Sequence, residues 1–599
     1  MSRRTLLVRT LLLTVGLAGT TALLISQTLQ VAAVPNGDPL FTAMRDEMER
    51  SQQLRVVAAQ EPPYFISYSL TDSDSLHVSA STGAVLDSDR NRFRSPSIEV
   101  RVGAYDFDNT GHIFSGAYSG SRYDGSWPLD DSYKNFRNEL WLGTDRAFKT
   151  ALESMARKRA SLKNAQAVVE PLPDFSKAPP VVSIAKVAKH PIDDATWDAR
   201  SARLSGVFAA YPEILSSGVE LQLLEGTTSL MNSEGTAVRY DDGLYWVYGK
   251  AEGQASDGML LHDAVSVQSL ELDKFPAEAD IRRAFTEVAD NVRGLVHAPA
   301  GEAYSGPTLL EPQAAAQLLA QLIGDNLRFP RRPLADTGRT VNFTPSEFET
   351  KMGSRILPDW IDVTDDSTQS AWKGKPLVGF YPFDLEGVAP KPVSVIEKGV
   401  LKSILTTRQP VRGFLTTNGH ARLPASYGAR AAAIGNLFVN ARETTPLADL
   451  KKRLIDMTKE RGKPYGMLVR KLDYPYSATT GELQALAQAS AQSGGSARPV
   501  SPPILIYKVY PDGREELVRG LRFRGTSTRT LRDVLAASTE TALFEYVNNA
   551  APLALLGAGG YLAPSSVIAP GLLFDEIEFE PPRDQMPKAP TVPPPNAPQ

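Results

Sequence analysis

The chain has no cysteine. Disulfides, thiolate nucleophiles, thiolate zinc sites, iron–sulfur clusters and a lipid-modified cysteine anchor are therefore excluded. Histidine is scarce: His77, His112, His190, His262, His297 and His420 are the only six, and no two stand at helical ligand spacing. There is no H-E-x-x-H and no G-x-S-x-G. Ser370–Lys373 fits S-x-x-K but lacks its companion motifs, and GAGGYL (557–562) has neither a phosphate-loop lysine nor dinucleotide spacing, so it reads as a packing turn. Charge of one sign is also lacking. Lys plus Arg total 64 against 68 Asp plus Glu, a net charge of -4, which gives no electrostatic reason for nucleic acid as a partner. Among carboxylates, Asp365, Asp366, Asp384 and Glu386 are the possible ligands of a hard cation, although acidic pairs beside strands and turns are usually solvated.

What is present is an ordinary globular composition, 42% hydrophobic and 22% charged over 599 residues, enough for two to four domains. Residues 1–33 read as a signal segment. MSRRTLLVRT is basic, LLLTVGLAGTTALLIS is apolar, and Val31 and Ala33 suit cleavage after Ala33. Arg3-Arg4 resembles a twin-arginine signal, though general secretory signals carry such pairs too. The expectation is export to the periplasm or cell envelope by either route. An uncleaved anchor is the alternative, since the apolar run is near the lower limit of about 17 residues for a span; the membrane is met only in that case.

The organisation expected is α+β, with an N-terminal α/β region followed by a larger, β-rich C-terminal domain. The first part of the N-terminal region covers 34–167, with a helix at 39–60, strands at 63–81 and 95–107, and a helix at 145–164. A Pro-rich linker spans 168–183. The second part, 184–303, has a helix at 196–211, two strands around the turn Asn232–Gly235, a strand at 245–254 and an amphipathic helix at 280–298. The C-terminal domain, 304–580, opens on a helix and continues with strands at 360–366, 392–407, 437–441 and 504–523, interrupted by a helix at 446–460. Residues 487–503 read as a flexible loop and 581–599 as a disordered Pro-rich tail.

The opening helix of that domain, within LLEPQAAAQLLAQLIGDNL (309–327), has Ala315, Leu318, Leu319, Leu322 and Ile323 at i, i+3, i+4, i+7 and i+8. Gln317, Gln321 and Asp325 form the opposite row, read as solvated surface or crevice lining.

Several segments together resemble the TldD/PmbA family of peptidase-related proteins. DVTDDSTQSAWKGKPLVGFYPFDLEGVAPKPVSVIEKGVLKSILTTR (362–408) is similar to an Asp-Asp loop, an acidic-Glu-Gly turn at Asp384–Gly387 and a strand pair at Ile396–Leu401. NGHARLPASYGARAAAIGNLFVNA (418–441) and LMNSEGT (230–236) resemble further family elements. In the metal-bearing branch the helix carries H-E-x-x-x-H, which with a distant cysteine forms a zinc site. Laid on this chain, Ala320 stands at the first histidine, Gln321 at the glutamate and Asp325 at the second histidine, while Gly324 keeps the family glycine. The resemblance is to the metal-free PmbA/TldE branch. It implies no catalytic residue and no metal in this chain, zinc in a metal-bearing TldD-like partner, and an extended peptide as substrate. Two other readings stay open: a stand-alone hydrolase using Asp365, Asp366, Asp384 and Glu386, and a peptide-binding or scaffold protein of the envelope.

Overall fold

The computed structural model describes residues 37–51, 54, 62–113, 122–124, 127–164, 172–335, 345–424, 430–474, 500–547, 563–582 and 587. The signal segment, the glycine-rich turn at 557–562, and most of the expected loop and tail lie outside them.

Helix α1 (Pro39–Arg50) starts where the Asp38 carboxylate accepts from Phe41 N–H at 3.0 Å, with proline in the first turn. Strands β1 (Pro63–Ser81) and β2 (Ala84–Val102) form a long antiparallel hairpin. β1 reads as sequence alternation demands: Ile66, Tyr68 and Leu70 point into the core while Ser67, Ser69 and Thr71 face the other way. β2 begins eleven residues before the expected strand at 95. Residues 84–93 are exposed, with apolar Ala84, Val85, Leu86 and Phe93 flanking a polar run at 87–92, so nothing in them alternates; pairing with β1 makes them a strand.

Helix α2 (Tyr133–Asn164) packs with α1 over this hairpin, burying Met44, Met48, Phe136, Leu140 and Phe148. Residues 172–181 follow without regular structure, and 182–184 pair in parallel with 237–239. Helix α3 (Asp194–Ser205) leads to β3 (Ile214–Asn232), which pairs with β1. β4 (Ala237–Asp241), β5 (Leu244–Gln254) and β6 (Leu260–Ser269) extend the same sheet, and α4 (Glu278–His297) covers its second half. Residues before and after the proline-rich passage thus share one sheet.

The C-terminal domain opens not on a helix but on strand β7 (Tyr304–Leu310), followed by α5 (Pro312–Leu322). Strands β8 (Ile361–Asp365), β9 (Val393–Glu397), β10 (Asn436–Ala441), β11 (Gly466–Leu472), β12 (Pro503–Val509), β13 (Glu515–Val518), β14 (Val534–Val547) and β15 (Pro564–Glu580) complete a mixed sheet, with helix α6 (Leu447–Glu460) between β10 and β11. β15 is the spine of the sheet. It pairs antiparallel with β7 and β14 and parallel with β10. The molecule is α+β, with two mixed sheets and the larger one C-terminal.

Candidate functional site

Helix α5 is where the sequence places the degenerate motif. Every residue from Ala314 to Leu322 is buried, so the expected solvated row does not exist. Gln317 is 2% exposed and Gln321 8%. A buried amide needs partners, and both find them in distant backbone. Gln317 Oε1 accepts from Leu472 N–H at 2.7 Å, and its Nε2 donates to the carbonyls of Leu472 at 3.0 Å and Tyr474 at 2.7 Å. Gln321 Oε1 accepts from Ser501 N–H at 2.9 Å. The two glutamines therefore tie α5 to Leu472 and Tyr474 on one side and to Ser501 on the other. The polar row is a clamp, not a surface.

The remaining motif positions carry no free donor. Ala320 is fully buried in the main core, and a side chain on Gly324 would meet Ile434 Cδ1 at 3.0 Å. Asp325, in the short turn that follows α5, lies 3.1 Å from Arg328 Nη2. The zinc implied by the family does not fit this donor set: one side chain has no heteroatom, one is an amide committed to backbone, and one is an ion-paired carboxylate. Among the described residues no group of three or more His, Cys, Asp or Glu could hold a metal ion.

The four acids singled out in the sequence separate in space. Asp366 closes a local turn, accepting from Thr368 N–H at 3.1 Å and Gln369 Nε2 at 2.8 Å. Asp365, at the end of β8, points the other way into the core and is fully buried. Its Oδ1 is 3.0 Å from His420 Nε2, and its Oδ2 accepts from Gly435 N–H at 3.0 Å. His420 Nδ1 is 2.9 Å from Asn418 Oδ1, an oxygen that also accepts from Thr406 N–H at 2.8 Å. Both imidazole nitrogens thus face oxygen atoms of neighbouring side chains.

Asp384, which is buried, and Glu386, which is half-buried, belong to a second centre that begins at Ala421, one residue beyond His420. Asp384 accepts from the N–H groups of Ala421 at 3.0 Å and of Glu386 and Val388 at 2.9 Å each. Burial nevertheless pushes its carboxyl above the ordinary value. Burial, then the adjacent Asp384 charge, raise Glu386 likewise. Glu386 accepts from Arg408 N–H at 2.7 Å. The Arg408 side chain, fully buried, donates through Nε to Ser176 O at 2.8 Å and through Nη2 to Glu234 at 2.7 Å. Tyr105 also donates to Glu234, at 2.6 Å, and the guanidinium stacks 4.0 Å from the Phe175 ring. Glu234 of LMNSEGT and Glu386 of the acidic turn, 152 positions apart, are thus joined through one arginine. Beside them a small cavity of about 10 Å3 lies between the N-terminal sheet and the acidic turn, lined by Ser67, Ser69, Glu99, Leu385 and Glu386. Sequence reading picked out the two motifs but missed Arg408, His420 and Tyr105. None carries a local signal, because all three stand in loops.

Residues 303–506 match the sequence profile described as the PmbA/TldA metallopeptidase C-terminal domain. The C-terminal domain belongs to the PmbA/TldD metallopeptidase family. A metalloprotease of Methanocaldococcus jannaschii is 29% identical over 116 residues, which is 19% of this chain and 23% of that protein. The match thus spans less than a quarter of that relative. Two solved structures share the PmbA/TldD-type fold. One is TldE from Thermococcus kodakarensis, at 12% identity and a TM-score of 0.53, covering 90% of this chain and 100% of that one. The other, named as a candidate modulator of a DNA gyrase from Thermotoga maritima, has 12% identity, a TM-score of 0.54 and the same coverage.

Proposed function

We propose that this PmbA/TldD-type chain is an exported, metal-free member acting as the non-catalytic subunit of a peptide-degrading or peptide-processing complex. Zinc and its chemistry would reside in a metal-bearing TldD-like partner, and the substrate would be an extended peptide. The observation that carries this reading is the state of α5. The positions where the family resemblance expects two histidines and a glutamate hold Ala320, Gln321 and Asp325, and the glutamine is committed to backbone. An amide does not ionise and takes no proton from water, so a general base is missing as well as the metal. Export rests on the basic and apolar N-terminal segment alone.

Native mass spectrometry with zinc analysis, on protein isolated from its own cells through a tag that binds no metal, tests this directly. The expected result is a stoichiometric complex with a zinc-loaded relative, and no peptidase activity from the purified chain alone. A zinc-loaded or peptidase-active isolated chain would refute it. The raised acids Asp384 and Glu386, beside a cavity of about 10 Å3, favour a second reading, a stand-alone hydrolase using these carboxylates. Under that reading Glu386→Gln abolishes an activity that the isolated chain possesses.

A further inference from the structure

One face of the N-terminal sheet is polar, and its register lines up side chains from five strands. Asp89 of β2 stands opposite His77 of β1, and His77 opposite Gln222 of β3. Gln222 in turn faces Trp246 of β5, and Trp246 faces Gln268 of β6. In the adjacent row Asp87 and Glu220 flank Ser79. Phe93 points the same way from β2 and is 36% exposed. Ser69, which lines the small cavity, lies eight residues back from His77 on this face, about 27 Å away at about 3.4 Å per residue.

The two faces of the hairpin are balanced differently. On the other face every arginine is paired: Arg90 with Asp74 at 2.9 Å and Asp194 at 3.0 Å, Arg92 with Asp72 at 3.2 Å, and Arg94 with Asp72 at 3.0 Å. On the polar face Asp87 and Asp89 are exposed and, among the described residues, meet no lysine or arginine. Glu220 has only His77 Nε2 at 2.8 Å and Ser79 Oγ at 3.1 Å. Lys250, further along β5 on this face, is taken by Glu252 at 2.5 Å. Three carboxylates thus share one imidazole. Gln268 supplies the second observation. It is 7% exposed, its Oε1 accepts from Ser266 Oγ at 2.8 Å, and its Nε2 is buried with no hydrogen-bond acceptor among the described residues. A buried amide N–H left without an acceptor is costly, so the row holds a donor waiting for one.

We infer that this face binds an extended cationic peptide laid across the strands. Asp89 to Gln268 is four strand spacings, about 19 Å, the length of about six extended residues. A main-chain carbonyl gives Gln268 Nε2 its acceptor, while lysine or arginine side chains meet Asp87, Asp89 and Glu220. Trp246 and Phe93 offer rings to the stems and charged heads of those side chains. An acidic ligand could also satisfy the amide, but the three carboxylates repel it. Because this is a face and not an edge, selection falls to side chains, and charge decides it. The inference rests on the proposed function in taking the ligand as a peptide, and it names the class of peptide.

Fluorescence anisotropy on the full chain, with fluorescein-labelled Ala-Lys-Phe-Lys-Ala-Ala and its glutamine and glutamate counterparts, tests this. The lysine peptide should bind saturably, about tenfold tighter than the glutamine peptide, and weaken as salt rises. Asp87→Lys with Asp89→Lys should weaken it about tenfold, while Glu153→Lys with Asp449→Lys, an equal charge change on exposed helices, should leave it unchanged. Gln268→Met, which keeps the bulk but not the donor, should weaken it about fivefold. Equal binding of the glutamine or glutamate peptide, or equal losses from the two charge-changed pairs, would overturn the inference. A chain that isolates without a zinc-loaded relative yet prefers the lysine peptide would refute the subunit reading alone. A zinc-loaded complex without that preference would overturn this inference alone.

Discussion

Gln317 uses nearly all the hydrogen-bonding capacity of its amide on a segment 155 residues away, accepting once and donating twice. Truncating it leaves one N–H and two carbonyls unsatisfied in a dry core. Gln317→Ala should therefore cost about 2–4 kcal/mol, read as a fall in the urea midpoint at unchanged slope; a loss under about 0.5 kcal/mol would show that the clamp contributes nothing. Glu386 invites a test in the opposite sense. Burial raises its folded pKa above the ordinary 4.5, so the protonated acid is the form the fold prefers. Its contribution is full below the unfolded value and is lost as pH rises through the raised one. Glu386→Gln, which cannot ionise yet still accepts from Arg408 N–H, should be neutral at about pH 4 and stabilising by about 1–2 kcal/mol at about pH 8. Thermal denaturation across that range checks the sign, and a flat difference would contradict it.

At the scale of elements, the hairpin between β1 and β2 turns on Thr82 and Gly83, at φ 50° and 92°. Gly83 adopts this region freely, but a β-branched threonine does not. Thr82→Asn should stabilise the hairpin by about 1 kcal/mol, seen as slower amide exchange in residues 76–90, and a destabilised variant would mean the threonine has another role. The elements also show where periodicity was readable. β1 lies where its alternation places it, and α4 and α6 within two residues of expectation. β14 and β15 went unread, although β15 organises the whole C-terminal sheet. From Pro564 to Phe574 every residue is buried, so no period-2 signature marks the strand. α5 misled in a related way: its amphipathic spacing is real, but distant strands cover the polar side as well.

At the scale of the molecule, Arg408 bolts the two sheets together, reaching Glu234 and Ser176 on one side while its own N–H holds Glu386 on the other. Arg408→Met would leave Glu234 without its cationic partner, with only the Tyr105 hydroxyl still donating to it, and should cost about 3–5 kcal/mol, with earlier proteolytic cleavage between the sheets. Arg408→Lys should not restore it, because one ammonium cannot replace a stacked, forked guanidinium. Unchanged proteolysis in both variants would remove the arginine from any joining role. Sequence alone determined that no thiolate and no H-E-x-x-x-H exist here, because folding cannot supply an atom the side chains lack. It also determined which stretches resemble the PmbA/TldD family. Only the tertiary structure decided that the acidic turn and LMNSEGT meet through Arg408, that Asp365 faces His420 while Asp366 does not, and that the glutamines of α5 are buried clamps. Burial and pairing depend on residues 22 to 180 positions away, and no local pattern of polar and apolar residues records what will pack against it.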